Sequence, residues 1–328
     1  MDLSVLFLGT AGSVPTVQRA PASILVRRGG ERVLIDCGEG TQRQLLRSVG
    51  LPDVEHVFLT HYHADHFLGL PGMLKTFGMR GRDVPLNIYG PPGLKGLMSD
   101  LRRVYGRLTY EIRLRELRPS EAVEMAGWRV GAYAAVHRLE ALGYALVEDD
   151  RPGRFDPAAA ERLGVRPGPD FGRLQRGRPV EAGGSSVEPG DVMGEPRPGR
   201  TLVFTGDTEP CDATVAVAEG ANLLVHDGTF ADDEVERAAQ TGHSTARQAA
   251  EVAARADVSL LALTHLSSRY FAPAIEKEAR EAFERTVVPR DFDLIEVPYA
   301  ERGEPQLVPW KEWRERKAEP AAPVPHVP

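Results

Sequence analysis

Short apolar runs alternate along the chain with stretches in which apolar positions recur every three to four residues. The runs at 3–8, 23–26, 32–36, 57–59, 85–89, 128–136, 201–205, 223–225 and 260–263 predict strands, with 23–36 a hairpin through Gly29-Gly30. The stretches at 41–49, 67–77, 93–105, 242–256 and 273–283 predict helices. Gly78 ends the second, and Ser244 or Thr245 caps the fourth. Strand and helix alternate throughout, which predicts a layered α/β fold.

Two regions break this rhythm. Residues 151–200 hold Pro152-Gly153, Pro167-Gly168-Pro169, Gly183-Gly184 and few periodic apolar positions. They read as an extended arm inserted into a body spanning 1–310. From Lys311 the chain is charged and then Pro/Ala-rich, which predicts a disordered tail over 311–328, His326 included.

The predicted strands share one further property: most deliver a chemically capable side chain at or just past their end. The 57–59 strand runs into His61-Tyr62-His63-Ala64-Asp65-His66. On an extended segment, positions 61 and 63 point the same way, while 65 and 66 fall where the chain turns into a helix. Imidazole and carboxylate together suit borderline divalent metals, so the stretch offers two pairs of ligands for two ions. His137, Asp207 and His265 end later strands and complete a set of seven. Such a set suits zinc better than magnesium, which prefers oxygen ligands. Two ions a few ångströms apart, with one bridging ligand, favour hydrolysis over redox chemistry, because bound water loses its proton near neutral pH. His243, at the start of a helix, is a candidate proton donor or charge stabiliser for the same reaction. Gly9-Thr10-Ala11-Gly12-Ser13 lacks the Lys-Ser/Thr of a phosphate-binding loop and reads as a tight turn beside the site.

Composition changes this picture only at the margins. A net charge of −7 and a pI near 5.8 exclude a globally basic nucleic-acid binder. Local balance differs. Six arginines face two glutamates over 101–118, and seven arginines face three acids over 151–178, leaving +4 in each. The second segment makes the arm a candidate phosphate-contacting element, with Arg166 and Arg173 for backbone contacts and Phe171 for stacking. Two cysteines, Cys37 and Cys211, give no disulfide framework, which fits a reducing cytoplasm. No apolar run is long enough for a membrane-spanning helix, and the N-terminus has no leader pattern.

The His61–His66 stretch resembles the His-x-His-x-Asp-His signature of the metallo-β-lactamase superfamily. Asp36-Cys37-Gly38-Glu39-Gly40-Thr41-Gln42, Phe204-Thr205-Gly206-Asp207-Thr208, Gly242-His243-Ser244-Thr245 and Leu263-Thr264-His265-Leu266-Ser267-Ser268-Arg269-Tyr270 resemble the ribonuclease Z branch, and 163–174 resembles its Gly/Pro-containing exosite. The branch's His-Glu-Ala-Thr stands here as His226-Asp227-Gly228-Thr229. The resemblance implies an α/β, αββα sandwich with a protruding exosite arm and two Zn2+ per chain, Mn2+ or Mg2+ being possible substitutes. It gives one ion to His61, His63, His137 and Asp207, the other to Asp65, His66, His265 and the bridging Asp207. Asp65 would also accept the proton of the attacking water, and His243 would stabilise the scissile phosphate. It further implies a cytoplasmic homodimer acting as an endoribonuclease. A metal-activated hydroxide would cleave the 3′ trailer from precursor tRNA and leave a 3′-hydroxyl, each arm reaching tRNA at the partner's site. The competing reading keeps the fold but takes small phosphodiesters or sulfate esters as substrate. A third is an RNA-binding scaffold with a degenerate site.

Overall fold

The structure is a computed structural model that describes residues 2–318. Its body is built on two sheets. The first has eight strands in the order Gln306–Val308, Leu294–Glu296, Leu3–Gly9, Ser23–Arg28, Glu31–Ile35, His56–Phe58, Leu86–Gly90, Ile112–Glu116. The second has seven: Thr286–Val287, Leu261–Thr264, Leu223–Asp227, Thr201–Phe204, Ala141–Glu148, Trp128–Ala135, Ala122–Met125. Each sheet is antiparallel on one side and parallel on the other. Glu31–Ile35, His56–Phe58 and Leu86–Gly90 run parallel in the first, as do Thr201–Phe204, Leu223–Asp227 and Leu261–Thr264 in the second.

The run Leu3–Leu8 is apolar at nearly every position because both faces of its strand are covered. Val5 and Phe7 point between the sheets, into a core with Phe58, Trp128, Tyr144 and Phe204. Leu6 and Leu8 point outward, to a layer with Leu45, Leu70, Met73 and Leu94 from helices Thr41–Ser48, Leu70–Met79 and Leu94–Tyr105. On the far side, Val203, Leu224 and Leu261 pack against Ala246, Ala249, Ala250 and Ala253 of helix Ala246–Arg255 and against Ile275 and Ala279 of Ala272–Ala282. Helix, sheet, sheet, helix: the expected αββα sandwich is the observed one. The C-terminal ends of the parallel strands open on one edge, where ligands bind in open α/β sheets. There the sheets are tied together by Leu142 N–H to Thr60 O (2.9 Å) and Tyr144 O–H to Leu59 O (2.7 Å).

Residues 151–200 differ from the extended insertion that their composition suggests. They hold helices Pro157–Arg162 and Pro169–Gln175 and the hairpin Val180–Ala182/Ser185–Val187. Both helices begin with proline at the first position, where its missing N–H costs nothing. Six buried side chains (Ala160, Val165, Leu174, Val180, Val187 and Val192) give the arm its own small core.

The first part of the expected tail is ordered. Trp310–Ala318 is helical, and Trp313 is buried with its indole N–H on Phe292 O (2.7 Å). Burying that one aromatic against the first sheet's outer layer anchors a segment whose charge alone predicted disorder. Residues 319–328, including His326, lie outside the described residues.

Candidate metal centre

The sandwich edge collects all seven predicted ligands. After strand His56–Phe58 the chain bends at Thr60 and runs to His63, whose extended conformation makes it the N-cap of the one-turn helix Ala64–Phe67. His61 and His63 share a direction, with His61 Nε2 and His63 Nδ1 3.0 Å apart. His137, just past Trp128–Ala135, brings Nε2 to 3.2 Å from His63 Nδ1. Asp207, past Thr201–Phe204, sets Oδ2 3.5 Å from His61 Nε2. Its approach requires Gly206, whose φ is +61° and where a Cβ would lie 2.8 Å from the Thr60 side chain.

A second set lies beside the first. His66 Nε2 and His265 Nε2 are 3.4 Å apart, and Asp65 Oδ2 is 3.6 and 3.2 Å from them. Asp207 Oδ1 reaches the same two rings at 3.3 and 3.4 Å, so this carboxylate spans both sets. The oxygen is buried, yet it accepts no hydrogen bond among the described residues. A tetrahedral ion with ligand atoms about 2.0–2.1 Å away separates those atoms by about 3.3–3.4 Å. The observed spacings have that size.

Hydrogen bonding at the far ring nitrogens decides what the near ones are. Thr60 donates its hydroxyl proton to Asp36, so it accepts from His61 Nδ1 at 3.0 Å. Thr229 donates to Asp227 Oδ1 (2.6 Å) and accepts from His265 Nδ1 (2.8 Å). His66 Nδ1 lies 2.7 Å from Asp36 Oδ2, and His137 Nδ1 2.7 Å from Gly242 O. Each Nδ1 faces an acceptor that would hold its proton, so each ring, once neutral, presents its Nε2 lone pair inward. Lone pairs on four Nε2 atoms converge with His63 Nδ1 and two carboxylates. That donor set suits a divalent metal.

The chain matches a known family. The family model of the metallo-beta-lactamase superfamily matches residues 17–265. A ribonuclease Z of Halorubrum lacusprofundi is 52% identical over 310 residues, 93% of this chain and 100% of that one. This chain belongs to the ribonuclease Z family. A ribonuclease Z of Myxococcus xanthus is 47% identical over 301 residues, covering 90% of this chain and 98% of its own. Among solved structures, the short form of human tRNase Z superposes with a TM-score of 0.66 at 26% identity, over 90% of this chain and 99% of that chain.

Electrostatics follows the geometry. Burial and neighbouring rings hold the His61 imidazole well below its usual value, whereas Asp207 and Asp36 hold His66 well above it despite burial. Burial would neutralise Asp207, but His265, His66 and His61 keep it well below the carboxylate range. His243 is pushed up to about 9: burial opposes its charge, and Asp227, 2.7 Å from its Nδ1, outweighs burial. His243 stacks on His265 with ring centroids 5.2 Å apart, at the rim of the metal cluster. Asp227 could be taken for a further ligand, since it clusters with Asp207, His243 and His265. Its oxygens are already occupied by Thr208 N–H, Thr229 N–H, the Thr229 hydroxyl and His243. It orients the histidines instead.

In this ribonuclease Z family member the sequence pattern did not single out Asp36, Thr60, Thr229 or Asp227. Asp36 ends strand Glu31–Ile35 as the other site residues end theirs, and that is the signal that was available. Its φ of +58°, like the +60° of His265, is a strained conformation for a side-chain-bearing residue and marks a functional position. Asp36→Ala removes the partner of His66 and Thr60 together. It should weaken metal binding about 10–100-fold, read by titrating the purified protein with zinc against a chelator of known affinity. Unchanged affinity would remove Asp36 from the site.

The arm residues divide. Arg166 and Arg173 are exposed, with Arg173 3.6 Å from Asp170. Phe171 is half-buried against Phe155, ring centroids 4.8 Å apart. Its ring packs against the arm's core and keeps part of its surface open. His56 and His226 contact Tyr89 and the Asp227 carbonyl.

Proposed function

We propose that this chain is a divalent-metal-dependent endoribonuclease that removes the 3′ trailer from precursor tRNA, leaving a 3′-hydroxyl on the tRNA and a 5′-phosphate on the trailer. The observation that carries the reading is the convergence of five imidazoles and two carboxylates on the sandwich edge, supported by relatives of about 50% identity called ribonuclease Z. Two zinc ions are assigned, one to His61, His63, His137 and Asp207, the other to Asp65, His66, His265 and Asp207; Mn2+ or Mg2+ are possible substitutes. Metal held there would supply positive charge against the phosphate oxygens and a water acidic enough to react near neutral pH.

The chain's own groups then have separate tasks. Asp65, ionised and with Oδ2 fixed by Ser13 N–H at 2.9 Å, takes the proton of the attacking water on its carboxylate. His243, cationic at neutral pH, faces the scissile phosphate and stabilises the charge that builds there. The Asp227 carboxylate keeps it protonated. Arg166 and Arg173 hold the tRNA backbone away from the metals. A homodimer, each arm serving its partner's site, and a cytoplasmic location complete the proposal. No helix among the described residues is long and apolar enough to cross a membrane.

Purified protein with zinc should cut a precursor tRNA at one position near the end of the acceptor stem, leaving ends that ligation assays report as 3′-hydroxyl and 5′-phosphate. His63→Ala should abolish cutting, and a chelator should do so reversibly. Intact precursor after incubation with fully metallated wild-type protein would end the substrate assignment.

A further inference from the structure

The arm leaves the body through two segments, Arg151–Phe155 and Met193–Arg197, joined by antiparallel bridges Arg151↔Arg197 and Phe155↔Met193. Arg151 and Arg197 exchange backbone hydrogen bonds of 2.7 and 2.8 Å, and a Cβ on Gly153 would fall 1.7 Å from Gly194 O, so the two segments are in close contact. A two-stranded ribbon twists and bends readily about its base. Something must fix the direction in which it points.

The C-terminal segment after strand Leu294–Glu296 supplies that element. The Arg151 guanidinium lies 3.5 Å from the centre of the Tyr299 ring, and the Arg200 guanidinium 3.9 Å from it. Two guanidiniums so close cannot share one face, so the ring is sandwiched between Arg151, the first residue of the neck, and Arg200, three residues beyond its end. Arg200 is itself anchored in the body, with bonds to both oxygens of buried Glu148 (2.7 and 2.9 Å) and to Val297 O (2.8 Å). Glu148 is also bound by Arg28 at 2.8 Å. On the neck side, Glu301 takes both Arg151 terminal nitrogens (2.7 and 3.0 Å) and Arg197 Nη1 (3.0 Å). Both neck segments are therefore tied to one short stretch, 297–301, that belongs to neither the arm nor the metal centre. Glu148 and Glu301 offset the repulsion among Arg151, Arg197 and Arg200.

We propose that Tyr299 and Glu301 are positioning residues that aim the arm, and thereby set the affinity for precursor tRNA without touching its chemistry. The proposal rests on the arm being a tRNA-binding element. Body and arm are two binding modules joined by a neck, and a stiff, correctly aimed connection raises their combined affinity. Releasing the neck disperses the arm's direction while both modules remain intact.

The test compares Y299A, E301Q and the conservative Y299F, which keeps the ring between the guanidiniums. Y299A and E301Q should raise KM for precursor tRNA about tenfold with kcat within about twofold of wild type, while Y299F stays near wild type on both. Hydrolysis of bis(p-nitrophenyl) phosphate should be unchanged in all three. Spin labels at S185C on the arm and E124C on the body, in a C211S background, should give one narrow distance in wild type and Y299F and a broad distribution in Y299A. An unchanged KM in Y299A overturns the proposal, and so does a parallel loss of both activities, which marks a structural role. Wild-type protein that cuts no precursor tRNA sinks the functional reading instead, and the distance distributions then decide the clamp alone.

Discussion

Asp207→Asn should leave a folded protein with at most one bound metal per chain and precursor-tRNA cleavage lowered by about 10⁴-fold, roughly 5.4 kcal/mol of transition-state stabilisation. The substitution keeps the shape of the side chain and removes its charge. Charge is what this position supplies. Oδ2 lies 3.5 Å from His61, while Oδ1 lies 3.3 and 3.4 Å from His66 and His265 and has no hydrogen-bond partner among the described residues. An amide turns an NH2 group toward one of these two sets of ring lone pairs, so a donor replaces an acceptor where a cation is needed. Metal analysis after gel filtration, single-turnover cleavage and thermal unfolding of the metal-free proteins separate the effects. Full metal content with more than about 1% of wild-type activity would show that Asp207 does not bridge.

Much of this site is legible in the sequence because its ligands sit at strand ends, and strand ends are what apolar runs reveal best. His61, His63, Asp65 and His66 lie within one turn of a strand, and His137, Asp207 and His265 each close another run. The positioning layer is harder to see. Asp36 and Asp227 look like ordinary turn carboxylates until Thr60 and Thr229 are seen relaying them to His61 and His265. Those relays join residues far apart in sequence, and no local pattern encodes them. The two structural departures have a common cause. Trp313 and the arm's six buried side chains each make a small apolar contact set within a polar stretch, too few for a periodic signal and enough to order the chain.

Replacing residues 152–196 by Asn-Gly should reduce kcat/KM for precursor tRNA at least about 100-fold, chiefly through KM, and leave hydrolysis of a small diester within about threefold. The splice is possible because Arg151 and Arg197 face each other across an antiparallel bridge, the geometry that a two-residue turn closes. It keeps Arg151, Arg197 and their bonds to Glu301, so the body loses no partner. It removes a unit with its own core, and the two sheets keep their packing. Six of the seven arginines in 151–178 go with it, so tRNA affinity should also become less steeply dependent on salt. Undiminished tRNA cleavage by the spliced protein would show that the arm takes no part in holding the tRNA. The proposed dimer extends the test. Mixing spliced protomers with Asp207→Asn protomers joins an intact site to an intact arm across the interface. Cleavage by that mixture, at a rate neither parent reaches alone, is the outcome expected if each arm serves its partner. Activity that stays at the level of the parents would place arm and site in one chain.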